Sequence, residues 1–246
     1  MVKKAFILAA GLGTRLGDHT KNKPKALVEV AGKPMLQNVI ENLKNAGIDS
    51  FVINVHHFAE QVIHFLEKKN YFNTQISISD EREQLLDTGG ALVKTKHLFK
   101  EDETILIHNV DVISDLNLEE LYQYHKQQQS IATLSVRKRN SSRSLLFNQE
   151  MRLIGWRNKS TKEYKWTNEQ IENYIPYAFS GIYLLNPAII NSISFKGKFS
   201  IIDAWLEIAK KNNISGFLDC SDFWFDLGTT EKINEAEKYL TNKKSG

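Results

Sequence analysis

Short apolar runs alternate with amphipathic stretches along the first half of the chain. Short apolar runs bounded by polar residues are typical of buried strands, and apolar residues three and four positions apart are typical of helices. The predicted strands are residues 5–10, 51–55, 76–79, 104–108 and 131–136, and the predicted helices are 34–43, 58–66, 90–98 and 118–127. This alternation indicates βαβ units, so we expect an α/β fold with a mostly parallel sheet and helices on both faces.

The pattern changes after about residue 136. The segment from Arg137 to Thr167 is rich in basic and polar residues, with short strand-like pieces at 145–147 and 153–156. We predict that it leaves the sheet and covers or completes a site. A strand at 178–185 and helices at 201–210 and 230–240 follow. Because no repeat, linker or boundary is visible, residues 1–246 are expected to form a single domain.

Composition removes several classes of function. The net charge of +3, from 32 basic and 29 acidic side chains, is too slight to predict a nucleic-acid surface. No apolar run approaches the roughly 20 residues of a membrane span, and residues 5–10 are too short for a signal-peptide core. Cys220 is the single cysteine, so neither an intramolecular disulfide nor a cysteine-based zinc cluster can form. We expect a cytoplasmic protein without nucleic-acid or membrane partners; the sequence does not indicate its oligomeric state.

The strongest local signal is a glycine-rich segment directly after the first strand. Residues 8–16 read LAAGLGTRL. Gly11 and Gly13 let the backbone turn sharply and point N–H groups at an anion, and Arg15 adds a charged fork that suits phosphate oxygens. Lys23 and Lys25 supply two further cations. The segment therefore favours a phosphate site, although the glycines alone could merely turn the chain and the cations could be solvated.

Two better-known phosphate motifs do not fit this segment. The dinucleotide fingerprint needs a third glycine three positions after the second, where this chain has Leu16. It also needs an acid at the end of the second strand, where this chain has Asn54-Val55-His56. A Walker loop is absent because no Gly-Lys-Ser/Thr sequence exists.

Two aspartates follow apolar runs. Asp111 comes shortly after the strand at 104–108, and Asp226 lies in the run FWFDLGT at 223–229. Ligands of open α/β sheets bind outside the carboxyl ends of the strands, and Mg²⁺ at phosphate sites takes one or two carboxylates. Each aspartate is therefore a candidate ligand of Mg²⁺, although the sequence alone does not show that residues so far apart meet. Each aspartate alone could instead be a turn or helix cap, and the seven histidines show no metal-binding spacing.

A third loop, SDEREQLLDTGGA at 79–91, follows the third predicted strand. Thr88 is predicted to cap the next helix, and Gly89 and Gly90 would let a nucleobase lie flat against the backbone. The alternative is an ordinary helix start.

These three loops, in this order, resemble those of the sugar-1-phosphate nucleotidyltransferases, which have a Rossmann-like α/β fold. The family's opening pattern L-A-A-G-x-G-T-R-L, then Pro-Lys, matches residues 8–16 and Pro24-Lys25. Its metal-binding aspartate matches Asp111, and its late Trp/Phe-x-Asp-x-Gly-Thr matches residues 224–229. The resemblance covers about residues 3–240. Departures are Leu16-Gly17-Asp18-His19-Thr20 in place of L-x-P-L-T, Ala26 in place of a proline, and Val110 in place of a glycine.

The resemblance implies transfer of a nucleoside monophosphate from a triphosphate to a sugar 1-phosphate, with Mg²⁺ as cofactor and pyrophosphate as product. It assigns catalysis to Arg15 and Lys25 and the metal to Asp111 and Asp226. The implied nucleotide-binding residues are Leu8, Ala10, Gly11, Gly13, Thr14, Arg15, Lys25, Glu81, Thr88, Gly89, Gly90 and Asn109. The expected sugar-side residues are Asn109, Tyr177, Ser180, Gly181 and Asp203. Asp203 could equally be a plain helix-start acid.

Residues 79–90 look most like the N-acetylmuramate 1-phosphate uridylyltransferases, which indicates UTP. GTP with mannose or heptose 1-phosphate is an open alternative. A cytidylyltransferase acting on phosphocholine is another, for which Trp156, Trp166 and Tyr164 would form an aromatic cage. A different class, a non-catalytic subunit that senses nucleotide sugars, is disfavoured because binding alone does not require both Asp111 and Asp226.

Overall fold

A computed structural model describes residues 2–244; Met1, Ser245 and Gly246 of the predicted domain lie outside the described residues. The strands are β1 (Lys4–Leu8), β2 (Glu29–Val30), β3 (Lys33–Pro34), β4 (Ser50–Val55), β5 (Gln75–Asp80), β6 (Ile105–Asn109), β7 (Val112–Ser114), β8 (Ala132–Arg137), β9 (Arg143–Phe147), β10 (Leu153–Asn158), β11 (Glu163–Trp166), β12 (Ile175–Leu185), β13 (Ile214–Leu218) and β14 (Trp224–Asp226). The helices are α1 (Met35–Asn45), α2 (Ala59–Lys68), α3 (Asp87–Thr95), α4 (Leu118–Gln127), α5 (Ile201–Ile208) and α6 (Thr230–Lys244). Short 3₁₀ segments are Thr14–Thr20, Lys25–Leu27, Asn70–Asn73, Lys96–Leu98 and Pro187–Ser192.

The chain divides into two compact units. The N-terminal unit comprises Lys3–Leu85, His108–Asp115 and the segment that begins at Asp222; the central unit is built mainly from Leu86–Ile107 and Leu116–Ser221. The sequence shows no boundary because each unit is assembled from separate stretches of chain, with no linker between them. The expectation of one domain over residues 1–246 stays a prediction.

Parallel strands form the framework of the N-terminal unit. β1 pairs with β4 and β4 with β5, all parallel, and Phe6 is aligned with Val52. Both residues are buried, as is the apolar face of α1 that the 3.6-residue pattern predicts. Pro34, the predicted first helical residue, is instead the N-cap of α1, which begins one position later at Met35. The predicted α/β class is confirmed.

The central unit has mixed strand pairing. β12 runs antiparallel to β8 and β9, β10 runs antiparallel to β9 and β11, and β13 is parallel to β8. The expectation that residues 137–167 leave the sheet is therefore wrong, because β9 pairs with β12, with Leu145 aligned with Tyr177. The sequence indicated the strand-like pieces at 145–147 and 153–156, but their pairing in the sheet is a long-range contact that it does not show. That the segment covers a site stays a prediction.

The helices of the described chain are too short or too polar for a bilayer. The longest, α6, has 15 residues, which corresponds to roughly 22 Å against a hydrocarbon core of about 30 Å. Within residues 2–244, no helix meets the length and apolarity that a membrane span requires.

Two buried histidines are neutral near pH 7. Burial lowers the pKa of His125 from 6.5 to about 4, and Nδ1 of its ring lies 2.8 Å from the Thr133 hydroxyl. Burial also lowers the pKa of His108 to about 4, although the Asn109 carbonyl and the Asp111 charge oppose this shift. As the pH falls, each histidine therefore binds its proton at a higher pH in the unfolded chain than in the folded one.

We predict that the free energy of unfolding falls as the pH drops from 6.5 towards 4. Each histidine contributes a slope of up to about 1.4 kcal/mol per pH unit in this window, and its full contribution is present above pH 6.5. Urea unfolding of the parent and of His125→Gln, between about pH 5 and about pH 7, measures this slope. In the variant, the dependence of the unfolding free energy on pH should be weaker by the contribution of one histidine. Equal slopes in the two proteins would contradict the assignment.

Candidate active site

The glycine-rich loop leaves the end of β1 with its glycine and cationic residues facing solvent. Leu16 is 1% exposed and anchors the segment in the core, whereas Gly11, Thr14 and Arg15 are exposed. Nothing lies within 4 Å of the point where a side chain on Gly11 would begin. The loop therefore has an open face on which an anion can approach the backbone.

Gly13 closes this loop. Its φ is +67°, and the Thr20 hydroxyl donates to its carbonyl at 3.1 Å and to that of Gly17 at 3.2 Å. A Cβ at Gly13 would meet Thr20 Cγ2 at 2.9 Å and Lys25 Cβ at 3.0 Å. Glycine is thus required at position 13 both for the left-handed backbone conformation and for close packing against Lys25.

Lys25 and Asp111 form an ion pair in the N-terminal unit. Nζ of Lys25 donates to Oδ2 of Asp111, and their side chains are 11% and 16% exposed. The segment that carries Asp111 is held against the end of β1, because the Val110 amide donates to the Leu8 carbonyl at 3.1 Å. Asn109, also half-buried, ends β6 immediately before this turn.

The second predicted metal ligand lies beside the first. β14 pairs antiparallel with β7, which aligns Asp226 with Val112, and the Leu227 amide donates to the Asp111 carbonyl at 2.8 Å. Burial and the Asp111 charge raise the pKa of Asp226, while Lys25, Arg15 and the Gly228 amide act in the opposite direction. The structure thus brings the two distant aspartates together with Arg15 and Lys25.

Gly228 makes room for this cluster. A Cβ there would meet Arg15 Nη2 at 2.7 Å and Asp226 Oδ1 at 2.8 Å, and its amide donates to Asp226 Oδ1 at 3.0 Å. The Arg15 guanidinium therefore lies over Gly228 and next to Asp226. The functional importance of Gly228 could be read from the sequence only through the family's Asp-x-Gly-Thr pattern.

The chemistry of this cluster fits a hard divalent cation. Both carboxylates supply oxygen donors, and their mutual repulsion is what a cation placed between them would relieve. Among the described residues, no group of three or more His, Cys, Asp and Glu side chains could hold a metal. A cation bound here would thus have two protein carboxylates, a number that suits Mg²⁺ completed by phosphate oxygens and water.

Glu81 is placed differently from the prediction that it contacts the nucleotide. It is 1% exposed, and its Oε1 accepts a hydrogen bond from Nδ2 of Asn54 at 2.8 Å. Oδ1 of Asn54 in turn accepts from the amides of Ala9 and Ala10 at 2.6 and 3.3 Å. The Glu81 carboxylate is therefore buried against Asn54, which argues against the predicted contact with a nucleotide. From the sequence, Asn54 was of interest only because it lies where the dinucleotide fingerprint needs an acidic residue.

The loop at 87–90 lies in the central unit, and its glycines allow close packing within that unit. A Cβ on Gly89 would meet the Phe199 ring at 2.2 Å, and one on Gly90 would meet the Gly197 carbonyl oxygen at 2.2 Å. The chain thus fills the side of each glycine on which a side chain would lie, and their contact with a nucleobase stays a prediction. Thr88 is not the helix cap: α3 begins at Asp87 with Leu86 at its N-cap, and the Thr88 hydroxyl accepts from the Ile201 amide at 3.0 Å.

The predicted sugar-side residues of the central unit divide into two groups. Ser180 is 0% exposed and its hydroxyl accepts from Ser135 at 3.3 Å, so its prediction is corrected to a core position. Gly181, with φ of +80°, is also buried, within the register shift of β12. Tyr177 is partly exposed, and Asp203 accepts from Lys165 at 2.8 Å in the first turn of α5. These last two assignments stay predictions.

The aromatic cage predicted for a quaternary ammonium is not assembled as expected. Tyr164 and Trp166 stack at 5.9 Å with Tyr174 against both rings, but the Arg157 guanidinium lies 5.6 Å from the centre of the Tyr174 ring. Trp156 instead has the Lys165 ammonium 5.4 Å from its ring. Cations of the protein thus lie over Trp156 and over Tyr174, which packs against the other two rings, and this disfavours a phosphocholine site.

The structure is that of an α/β protein with an open glycine loop after β1 and, beside it, a cluster of two cations and two carboxylates. The chain belongs to the nucleotidyl transferase family, whose model matches residues 4–243.

Two curated relatives are mannose-1-phosphate guanylyltransferases. The protein from Aspergillus oryzae is 29% identical over 92% of this chain, and that from Arabidopsis thaliana is 31% identical over 92%. The chain spans about three fifths of the length of these relatives, 60% and 61%. A solved structure of HddC from Yersinia pseudotuberculosis complexed with GMP-PN has a TM-score of 0.76 at 22% identity, covering 97% of this chain and 100% of that one. At that identity, the likeness shows the fold alone.

We predict that Gly13→Ala destabilises the protein by about 1–3 kcal/mol, because it forces left-handed backbone on alanine and displaces Thr20. Gly11→Ala is the matched control: it adds the same methyl group where no atom lies within 4 Å, and its unfolding free energy should stay within about 0.5 kcal/mol. Urea unfolding of both variants measures the difference. Equal stabilities would show that the loop is not closed as described.

Proposed function

We propose that this chain transfers a nucleoside monophosphate from a nucleoside triphosphate to a sugar 1-phosphate and releases pyrophosphate. The observation that carries the proposal is the cluster of Arg15, Lys25, Asp111 and Asp226 in one compact unit. Family membership and the guanylyltransferase relatives support the same reaction class.

The reaction brings two anions together, so most of the protein's task is alignment and charge neutralisation. A sugar-phosphate oxygen attacks the α-phosphorus in line, the bond from that phosphorus to the β-phosphate oxygen breaks, and pyrophosphate leaves. Because the attacking oxygen is already ionised near pH 7, no general base is required. This agrees with a cluster that contains two cations and two carboxylates but neither of the buried histidines.

Each cation has a distinct position for this task. Arg15, on the exposed loop and over Gly228, would hold the triphosphate together with Gly11, Gly13 and Thr14. Lys25 is nearly buried and oriented by Asp111, so its ammonium would face the reacting phosphate with little freedom to move.

We propose that Asp111 and Asp226 hold Mg²⁺. Held by these two carboxylates, the ion would supply positive charge that reduces the repulsion between the two anionic substrates. The raised pKa of Asp226 supports this, since a cation would relieve the repulsion that contributes to the shift.

We propose GTP with mannose 1-phosphate, or a related hexose or heptose 1-phosphate, as the substrate pair. Both cited relatives carry the name mannose-1-phosphate guanylyltransferase, and the HddC structure contains GMP-PN. UTP with N-acetylmuramate 1-phosphate, suggested by residues 79–90, is the second candidate. With that second pair, the protein would serve cell-wall synthesis. We also propose that the protein is cytoplasmic.

We predict that Asp111→Asn and Lys25→Ala each lower kcat about 10²–10³-fold, because each removes electrostatic stabilisation worth roughly 3–4 kcal/mol. Steady-state pyrophosphate release at saturating Mg²⁺ measures the effect. The matched control is Lys33→Ala, which breaks an exposed 2.6 Å ion pair with Glu41 in the same unit and should leave kcat unchanged. Near-parental turnover of either site variant would remove that residue from the mechanism.

A substrate panel tests the reaction class and the pair together. GTP, UTP, CTP and dTTP are each combined with mannose 1-phosphate, N-acetylmuramate 1-phosphate, glucose 1-phosphate and phosphocholine, and pyrophosphate is measured. The highest kcat/KM is expected for GTP with mannose 1-phosphate. A preference for UTP with N-acetylmuramate 1-phosphate would overturn the base and sugar assignment but keep the reaction class. Nucleotide binding without turnover on any pair would favour the non-catalytic sensor.

A further inference from the structure

One buried amide connects the carboxyl ends of three parallel strands. Asn54 is the penultimate residue of β4 and is 3% exposed. Its Oδ1 accepts from the amides of Ala9 and Ala10, the first two residues after β1. Its Nδ2 donates to Glu81, the first residue after β5. The side chain of Asn54 therefore fixes where the chain leaves the sheet towards Gly11.

Glu81 is itself held on both sides. Its amide donates to the Val55 carbonyl at 2.8 Å, and its carbonyl accepts a hydrogen bond from Nδ1 of His56 at 2.7 Å. A carbonyl can only accept, so this contact also fixes Nδ1 as the protonated nitrogen of His56. Glu81, whose carboxylate accepts from Asn54, is thus held in place by Val55 at the end of β4 and by His56 directly after it.

The chemistry of the partners leaves few residues that could replace Asn54. Backbone amides can only donate and an ionised carboxylate can only accept, so the central group must present an acceptor and a donor. Leucine would leave two buried amides unpaired, and aspartate would place two carboxylates against each other. Only an amide of this length satisfies both sides.

We infer that Asn54 is a positioning residue for the triphosphate loop. By fixing the Ala9–Ala10 backbone, it sets the position of the amides and glycines that follow, and Glu81 acts through it rather than on the nucleotide. This inference rests on the proposed function, since the loop matters only if it holds a triphosphate. A loop with the wrong exit direction would bind the triphosphate more weakly while leaving the sugar side unaffected.

The test exchanges the donor and the acceptor. In Asn54→Asp combined with Glu81→Gln, the new carboxylate still accepts from Ala9 and Ala10, and the new amide donates to that carboxylate. The hydrogen bond between positions 54 and 81 is therefore restored with its direction reversed, those from Ala9 and Ala10 keep theirs, and the side-chain volumes hardly change. The parent, both single variants and the double variant form a double-mutant cycle. All are measured at about pH 9.5, because two adjacent buried carboxylates can hold a shared proton up to about pH 8–9.

We expect Asn54→Asp to raise the KM for the triphosphate about tenfold, with a smaller change for the sugar phosphate, and the double variant to return within about threefold of the parent. Asn38→Asp is the control: it changes an amide that donates to the carbonyls of Val30 and Lys33, away from the loop, and should shift KM by less than about twofold. A double variant no better than Asn54→Asp, or an unchanged KM in Asn54→Asp, would overturn the inference.

Amide hydrogen exchange supplies a readout that does not depend on turnover. The Ala9 and Ala10 amides should exchange slowly in the parent, faster in Asn54→Asp, and slowly again in the double variant. If Asn54→Asp does not fold, the double variant decides alone: it must fold and protect both amides. If the parent releases no pyrophosphate from any pair, the proposed function fails, while unprotected amides in the parent would contradict the positioning itself.

Discussion

The site depends on holding two like charges side by side. Asp226 is half-buried next to Asp111, and both burial and its neighbour's charge oppose ionisation of its carboxyl group. Such a pair costs free energy unless cations compensate it. Lys25, Arg15 and the Gly228 amide supply part of that compensation. A divalent cation shared with phosphate groups would supply the rest, which ties the stability of the cluster to its proposed ligand.

The surrounding fold explains how this arrangement is maintained. Parallel pairing of β1, β4 and β5 brings their carboxyl ends to one edge, and the short β7–β14 pair places Asp226 beside the turn that carries Asp111. Gly13 and Gly228 are the points where a side chain would collide with a cation-bearing residue. Backbone geometry and charge placement are thus parts of one constraint.

Local patterns predicted the elements whose stability is local. Helix α4 has the predicted bounds, and β4, β5 and β8 differ from theirs by about one residue, because the apolar runs of these strands and the helical periodicity of α4 are visible in the sequence. The three-residue strands β7 and β14 have no such signal, and their pairing, which joins the two aspartates, is a long-range contact. Only the family resemblance suggested that these aspartates meet.

The predictions that failed share a physical cause. Thr88 and Ser180 are residue types that serve helix caps, ligands and cores equally well, and the sequence does not reveal which groups lie next to them. Asn54 and Glu81 show the converse, since their importance comes from partners on two other strands. Residue chemistry predicted the charged centre of the site, whereas the positioning residues Asn54 and Glu81 were recognised only in the three-dimensional structure.

The central claim is most directly tested by locating a metal. Crystals grown with Mn²⁺ and a non-hydrolysable triphosphate would show the ion by its anomalous scattering. The account predicts one Mn²⁺ peak within about 2.2 Å of carboxylate oxygens from both Asp111 and Asp226, with phosphate oxygens completing its shell. Mn²⁺ bound away from these two carboxylates, with the triphosphate far from Arg15, would contradict it.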